Sequence, residues 1–340
     1  MPSPAKESNG ELGRICPVRY RYGAAAIAQA PVRVADTLYV VGGLYGNLAA
    51  LDEVERMVAA EGVHGPAPTL CFNGDFNWFN VDDARFAAIN ERVLLHDAIV
   101  GNVEAEFASD DDDAGCGCAY PDQVDADVVT RSNLIHARLK ATARRHPALA
   151  RRIAALPMLA RYQVGACRVG VVHGDADSLA GWRFDVAALD DRSNRAWLRD
   201  AFCRAAVDVF ASTHTCLPAL RAMPMAGTPG SDDETTGWIC NNGASGMPNL
   251  QGDLAGLCTR IGLTPSPHAA IHEVRAGGVW LALVPVRYDV ARWQAEFLAQ
   301  WPPGSAAWES YWPRISRGLD YALSRAIATS SAATTGGVSA

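Results

Sequence analysis

The stretch TLCFNGDFNWFNVDDARFAAINERVLLHDAIVGN, residues 69–102, decides the fold. It opens and closes on short apolar runs, TLCFN and AIVGN, with helical spacing over 82–93 between them. Runs that are short, rich in β-branched residues and not alternating read as strands buried on both faces, the habit of a parallel sheet. Strand, helix and strand in succession imply α/β layering. Each run delivers a polar residue at its end: Asp75 closes TLCFNGD and Asn102 closes AIVGN. Further along, RVGVVH (168–173) ends on His173, and VDVFAST (207–213) is followed by His214. Parallel strands bring their carboxyl ends to one edge, where open α/β sheets keep their chemistry. An Asp, an Asn and two His delivered to that edge are a set of metal ligands.

Outward from this stretch the same alternation continues. TLYVV (37–41) is the first clear strand; after Gly42–Gly43, Leu48, Leu51, Val54 and Met57 recur at helical spacing, with Asn47 as cap and Gly62 as stop. Helices are expected near 125–143, 147–155 and 192–206, and a further strand at GWICN (237–241). AAIHEVR (269–275) and GVWLALV (278–284) read as a hairpin around Ala276–Gly278, where Gly-Gly supplies the positive φ of a tight turn. Amphipathic helices over 290–298 and 307–327 close the folded part. Residues 1–30 read as a polar N-terminal extension with an Ala-rich lead-in, 31–325 as one domain, and 326–340 as a disordered tail of small polar residues.

The chain has 340 residues, 49% hydrophobic and 20% charged, enough for a sizeable core. A net charge of −7 without a basic block gives a nucleic-acid partner no electrostatic support. Nothing approaches the roughly 20 apolar residues of a membrane span. The opening MPSPAKESNGELGR lacks an apolar signal core. With nine cysteines, an odd number, this predicts reduced thiols and a cytoplasmic location. Cys71, Cys167, Cys203 and Cys240 read as small core residues; Cys116, Cys118 and Cys216 fall in loops beside the suspected site.

The order of these motifs resembles the calcineurin-like metallophosphoesterase family over about residues 35–290. Gly74-Asp75 matches its second motif, Gly101-Asn102 its third, and His173-Gly174 its fourth. Thr213-His214-Thr215-Cys216-Leu217-Pro218 aligns on its fifth, with Cys216 on the second His of that motif. Gly46-Asn47-Leu48 with Ala50-Leu51, and the loop NNGASGMP at 241–248, resemble two further family stretches. The resemblance implies a four-layer α/β/β/α sandwich with two mixed sheets. It implies a metal site of Asp75, Asn102, His173 and His214, with Cys216 as a further candidate ligand. Tyr45, Asn102 and His214 become candidate catalytic residues. Tyr45, Cys216, Asn242 and Gly243 become candidate pocket residues, the last two because a Gly-rich loop permits close backbone approach.

The departures carry equal weight. The first motif requires Asp at 43 and His at 45, where the chain has Gly43 and Tyr45; the third motif's His is Val103. Two ions about 3.5–4 Å apart normally clamp a phosphoryl group and activate a bridging water. Here the resemblance leaves one complete ligand set, suited to a single divalent Mn, Fe, Zn or Ni ion, and a degraded second site. The leading expectation is a hydrolase of phosphate esters or a small-molecule substrate; a catalytically inactive binding or regulatory protein and a mononuclear centre with cysteine-assisted chemistry stand beside it. Tyr45 reads either as packing or as a phenol facing substrate or ion, and Cys216 as a packed thiol or a thiolate ligand. Cys116-Gly117-Cys118 reads as a flexible loop or a chelating pair, and Asp110–Asp113 as a solvated acidic loop. Glu104, Asp175 and Asp177 flank the motifs as surface groups or substitute carboxylates. The late aromatics Trp293, Trp301, Trp308, Tyr311 and Trp312 read as packing of the terminal helices, with a homodimer contact as the alternative.

Overall fold

The computed structural model describes residues 12–63, 65–107, 114–225 and 236–327. In chain order these form α1 (Ala24–Gln29), β1 (Val32–Ala35), β2 (Thr37–Val41), α2 (Leu48–Gly62), β3 (Thr69–Phe72) and α3 (Asp83–Val93). Next come β4 (Asp97–Ala98), a single turn α4 (Asn102–Ala105), α5 (Ala126–Arg145), α6 (Pro147–Ala154), β5 (Leu159–Val164) and β6 (Cys167–Val172). Then α7 (Val186–Asp190), α8 (Arg195–Ala205), β7 (Val209–Ser212), β8 (Pro218–Pro224), β9 (Thr236–Asn242) and β10 (Gly256–Gly262). The hairpin β11 (His272–Ala276) and β12 (Val279–Val286) leads into α9 (Val290–Gln300), α10 (Ala306–Arg317) and α11 (Leu323–Ala326).

The strands make two six-stranded mixed sheets, ordered β1-β5-β6-β7-β9-β8 and β11-β12-β10-β2-β3-β4. Within them β6, β7 and β9 run parallel, as do β2, β3 and β4. The apolar runs are continuous because both faces of each central strand are covered. In β2, Leu38 and Val40 enter the core between the sheets, while Tyr39 and Val41 face the helical layer of α2, α3, α9 and α10. In β7, Val209 and Ala211 point inward and Phe210 meets α1, α7 and α8 on the other outer face. The result is a four-layer α/β/β/α sandwich. Each such aliphatic side chain, wholly buried, contributes about 1.5–3 kcal/mol. Among the described residues no helix is long and apolar enough to cross a membrane.

Several expectations change. Of AIVGN only Ala98 is in a strand, the last residue of β4, and Asn102 is the first residue of α4. Four strands, β1, β5, β8 and β10, were not legible. Two of them hide a buried arginine: Arg260 in β10 is fully buried against Glu61 of α2, and Arg221 in β8 binds Asp190 and the carbonyl of Ala326. A charge inside an apolar run reads as exposure unless its partner is known, and both partners come from distant segments. The 1–30 stretch is not wholly an extension either, since Tyr20, Ala24 and Ile27 are buried in the domain. Residues 1–11, Asp110–Asp113 and the tail from 328 onward lie outside the described residues. The late aromatics pack onto the core, with the ring of Phe297 stacked on Trp312 and Trp293 against Phe79.

Candidate metal centre

Four side chains meet at the carboxyl edge of the sandwich, two from each sheet. Asp75 follows β3 and Asn102 opens α4 beyond β4; His173 follows β6 and His214 follows β7. All four are buried. His173 Nε2 lies 3.0 Å from Asn102 Oδ1, 3.3 Å from His214 Nδ1 and 3.4 Å from Asp75 Oδ1. The ligand atoms of Asp75, His173 and His214 all fall within 4.8 Å of one another.

The outer ring nitrogens fix which atoms point inward. His173 Nδ1 meets the carbonyl of Asn73 at 2.8 Å, and His214 Nε2 meets that of Cys118 at 3.2 Å. A carbonyl only accepts, so those nitrogens carry the protons and the inward ones present lone pairs. Asn102 Nδ2 donates to the carbonyl of Cys116 at 3.1 Å, which turns Oδ1 inward. The site is therefore a cluster of facing acceptors: a carboxylate, an amide oxygen and two imidazole nitrogens. That donor set fits a divalent transition ion.

Electrostatics agree with the geometry. Burial alone would raise the Asp75 carboxyl, but the charge of His173 overrides it and holds it below the usual carboxylate range. Burial likewise opposes a charge on His173, and Asp75 more than offsets this, raising His173 above an ordinary histidine. Burial and His173 together push His214 down to about 3, so it is neutral. A cation entering the cluster would meet the Asp75 carboxylate, the Asn102 amide oxygen and the inward nitrogens of the two imidazoles.

The backbone around Asp75 is built to bring it there. Asp75 sits in the left-handed region at φ 55° after Gly74 at φ 96°. A Cβ on Gly101 would stand 2.2 Å from Asp75 Oδ1, so only glycine allows that approach. Glu104, fully buried, accepts the N–H groups of Asp75 at 2.8 Å, Asn77 at 3.1 Å and Gly101 at 3.2 Å. It is neither a surface group nor a ligand but the brace of this turn. Burial and Asp75 push its carboxyl up to about 7. Asp175, also buried, accepts backbone N–H groups from Asp177, Ser178 and Arg183 and stays outside the cluster.

Among solved structures the chain superposes on a metallophosphoesterase from Sphaerobacter thermophilus with TM-score 0.50 at 17% identity, covering 84% of this chain and 100% of that one. A hypothetical protein from Pyrococcus horikoshii OT3 superposes with TM-score 0.52 at 13% identity, covering 85% of this chain and 100% of the other. The fold is that of the metallophosphoesterases. At such identities the likeness is one of fold alone. No protein-family model and no curated protein matches the chain.

On this metallophosphoesterase fold the vacated first-motif positions are filled from within. The Tyr45 ring, at φ 55°, lies so close over Gly43 that a Cβ there would stand 2.9 Å from it. Its hydroxyl meets Cys216 Sγ at 2.8 Å. Burial raises both groups, so the pair is neutral. Cys216 also contacts the carbonyl of His214, and the close group of ligand atoms from Asp75, His173 and His214 does not include its thiol. The Cys116-Gly117-Cys118 segment serves through its carbonyls, and neither thiol joins the cluster.

A cavity of ≈ 210 Å³ opens onto Asp75, Asn102 and His214, walled by Tyr45, Trp78, Val103, Cys118, Tyr120, Trp182, Thr215, Cys216 and Tyr311. No lysine or arginine is among its lining residues. Asn242 and Gly243, expected in the pocket, lie behind it. Asn242 Nδ2 donates to the carbonyls of Gly42 and Leu257, and Gly243 packs against Asn249 and Pro218. Trp78, Tyr120, Trp182 and Tyr311 were missed as pocket walls. Trp78 and Trp182 do fall within ten residues of matched motifs, which was the available signal.

Proposed function

We propose that this chain is a metal-dependent hydrolase of phosphate esters working with one divalent transition ion held by Asp75, Asn102, His173 and His214. The observation that carries the reading is the cluster of inward-facing acceptors whose outer ring nitrogens are fixed by the carbonyls of Asn73 and Cys118. Such an ion, when bound, supplies Lewis acidity and lowers the pKa of a coordinated water. The protein's own part is to orient the ligands, exclude bulk water with the aromatic walls, and set the Tyr45–Cys216 pair at the edge of the site. Val103 occupies the place where the family resemblance puts a histidine, so the departing ester oxygen meets no imidazole there. Esters with good leaving groups are the expected substrates.

Metal analysis of the purified chain together with turnover of bis-p-nitrophenyl phosphate tests this. One ion per chain and hydrolysis lost with the ion in His214→Ala are the expected results; no ion and no turnover would reject the reading. A second reading, a binding protein without catalysis, draws on the Tyr45 ring filling the first-motif space and on Val103. Bound metal without turnover would favour it.

A further inference from the structure

Beside the metal pocket lies a larger cleft of ≈ 760 Å³, and the two share the indole of Trp182. Residues 118–121 run between them, with Cys118 and Tyr120 in the pocket wall and Ala119 and Pro121 in the cleft wall. The cleft is lined by three guanidinium groups, Arg14, Arg21 and Arg183. Among the described residues none of the three is paired with a carboxylate. Arg14 donates to the carbonyls of Pro121 and Val124; Arg183 lies 4.7 Å over the ring of Trp197 and reaches Asn194. Arg21 has no side-chain partner among the described residues.

The two acids in the same wall make no ion pair with them among the described residues. Asp175 accepts three backbone N–H groups, and Asp177 accepts the N–H of Ala24 at 3.0 Å and the indole N–H of Trp197 at 2.9 Å. Elsewhere the arginines Arg92, Arg260 and Arg292 are closed into ion pairs. Here three on one concave surface have no carboxylate partner among the described residues, and the Arg21 side chain is the one of them with no side-chain partner at all there, in a chain of net charge −7. Guanidinium groups recognise phosphate and carboxylate through paired N–H donors, and indoles beside them favour a flat organic group.

We propose that this cleft is an anion subsite that takes a second phosphate or carboxylate of the substrate, carried on a planar portion that lies along Trp182. This explains why the metal pocket itself has no cationic side chain: the charge that anchors the substrate stands next door. The link to a substrate rests on the hydrolase reading; the anion site does not.

Isothermal titration of the full chain with m-benzenedisulfonate, a flat dianion that cannot be hydrolysed, tests the site directly. The wild type binds it more tightly than benzenesulfonate. Arg21→Ala weakens binding, Arg21→Ala/Arg183→Ala weakens it at least tenfold, and Arg21→Lys restores part of the loss. Because the Arg21 side chain has no partner among the described residues, its variant keeps the fold. No binding by the wild type, or wild-type affinity in the double arginine variant, would each overturn the subsite. A wild type that binds the dianion but holds no ion and turns nothing over would instead reject the metal reading and leave the cleft standing.

Discussion

Val103 and Glu104 are neighbours in sequence with opposite roles, and both are open to test. Val103 lines the pocket, and its own N–H donates to Asp75 Oδ1 at 3.2 Å. Its side chain therefore faces the pocket without holding the turn. An imidazole there supplies the missing proton donor, worth about 10²-fold or more in rate. Val103→His is expected to raise kcat on bis-p-nitrophenyl phosphate with little change in metal content. Equal or lower kcat in that variant, with the ion retained, would count against the hydrolase reading. Glu104 holds three buried N–H groups. Leaving a buried donor unpaired costs roughly 1–3 kcal/mol. Glu104→Ala is expected to lower the denaturant midpoint and weaken the ion, whereas Glu104→Gln keeps an acceptor and loses less. At this scale Asp75, His173 and His214 were legible because each ends an apolar run. Asn242 and Gly243 were not, because whether a loop lines or backs a pocket depends on which carbonyls its amide reaches.

Strands and helices were legible where burial on two faces left an unbroken apolar run, as in β2, β3, β6 and β7. They were hidden where an ion pair replaced apolar contact, as in β10. Arg260 Nε donates to Glu61 Oε2 at 3.0 Å, and the hydroxyl of Tyr39 donates to the same carboxylate. Removing one member of a buried pair costs about 3–5 kcal/mol. Glu61→Ala is therefore expected to destabilise far more than a surface substitution, read as a shifted urea midpoint with an unchanged slope. The pH dependence has a definite sign. Burial alone would raise the Glu61 carboxyl, but its bonds to Arg260 and Tyr39 outweigh that and hold it below its usual value. The stability it contributes is present above the unfolded pKa and is lost as pH falls through the lower folded one. The wild type is expected to lose more stability than Glu61→Gln on acidification below about pH 4.5.

At the scale of the whole molecule, the ion would tie the two sheets together, since Asp75 and Asn102 belong to one and His173 and His214 to the other. A ligand that binds only the folded state stabilises by about 2.7 kcal/mol at a hundredfold excess over its Kd. Adding Mn²⁺ or Zn²⁺ is expected to raise Tm by several degrees and a chelator to lower it, with His214→Ala indifferent to both. Uptake should strengthen as pH rises, because an imidazole ligates only when deprotonated and Asp75 holds His173 above an ordinary histidine. An equal Tm with and without metal in the wild type would argue against a preformed site.

The sequence by itself determined the layered α/β plan and the four residues at one sheet edge. Period and run length encode burial, and a strand end encodes position along the edge. Only the tertiary structure decided the rest: that Tyr45 lies across Gly43 and meets Cys216, that four aromatics from separate segments wall the pocket, and that three arginines line the cleft beside it. Each of these depends on side chains from distant parts of the chain meeting in space. No local pattern of residues records such a meeting.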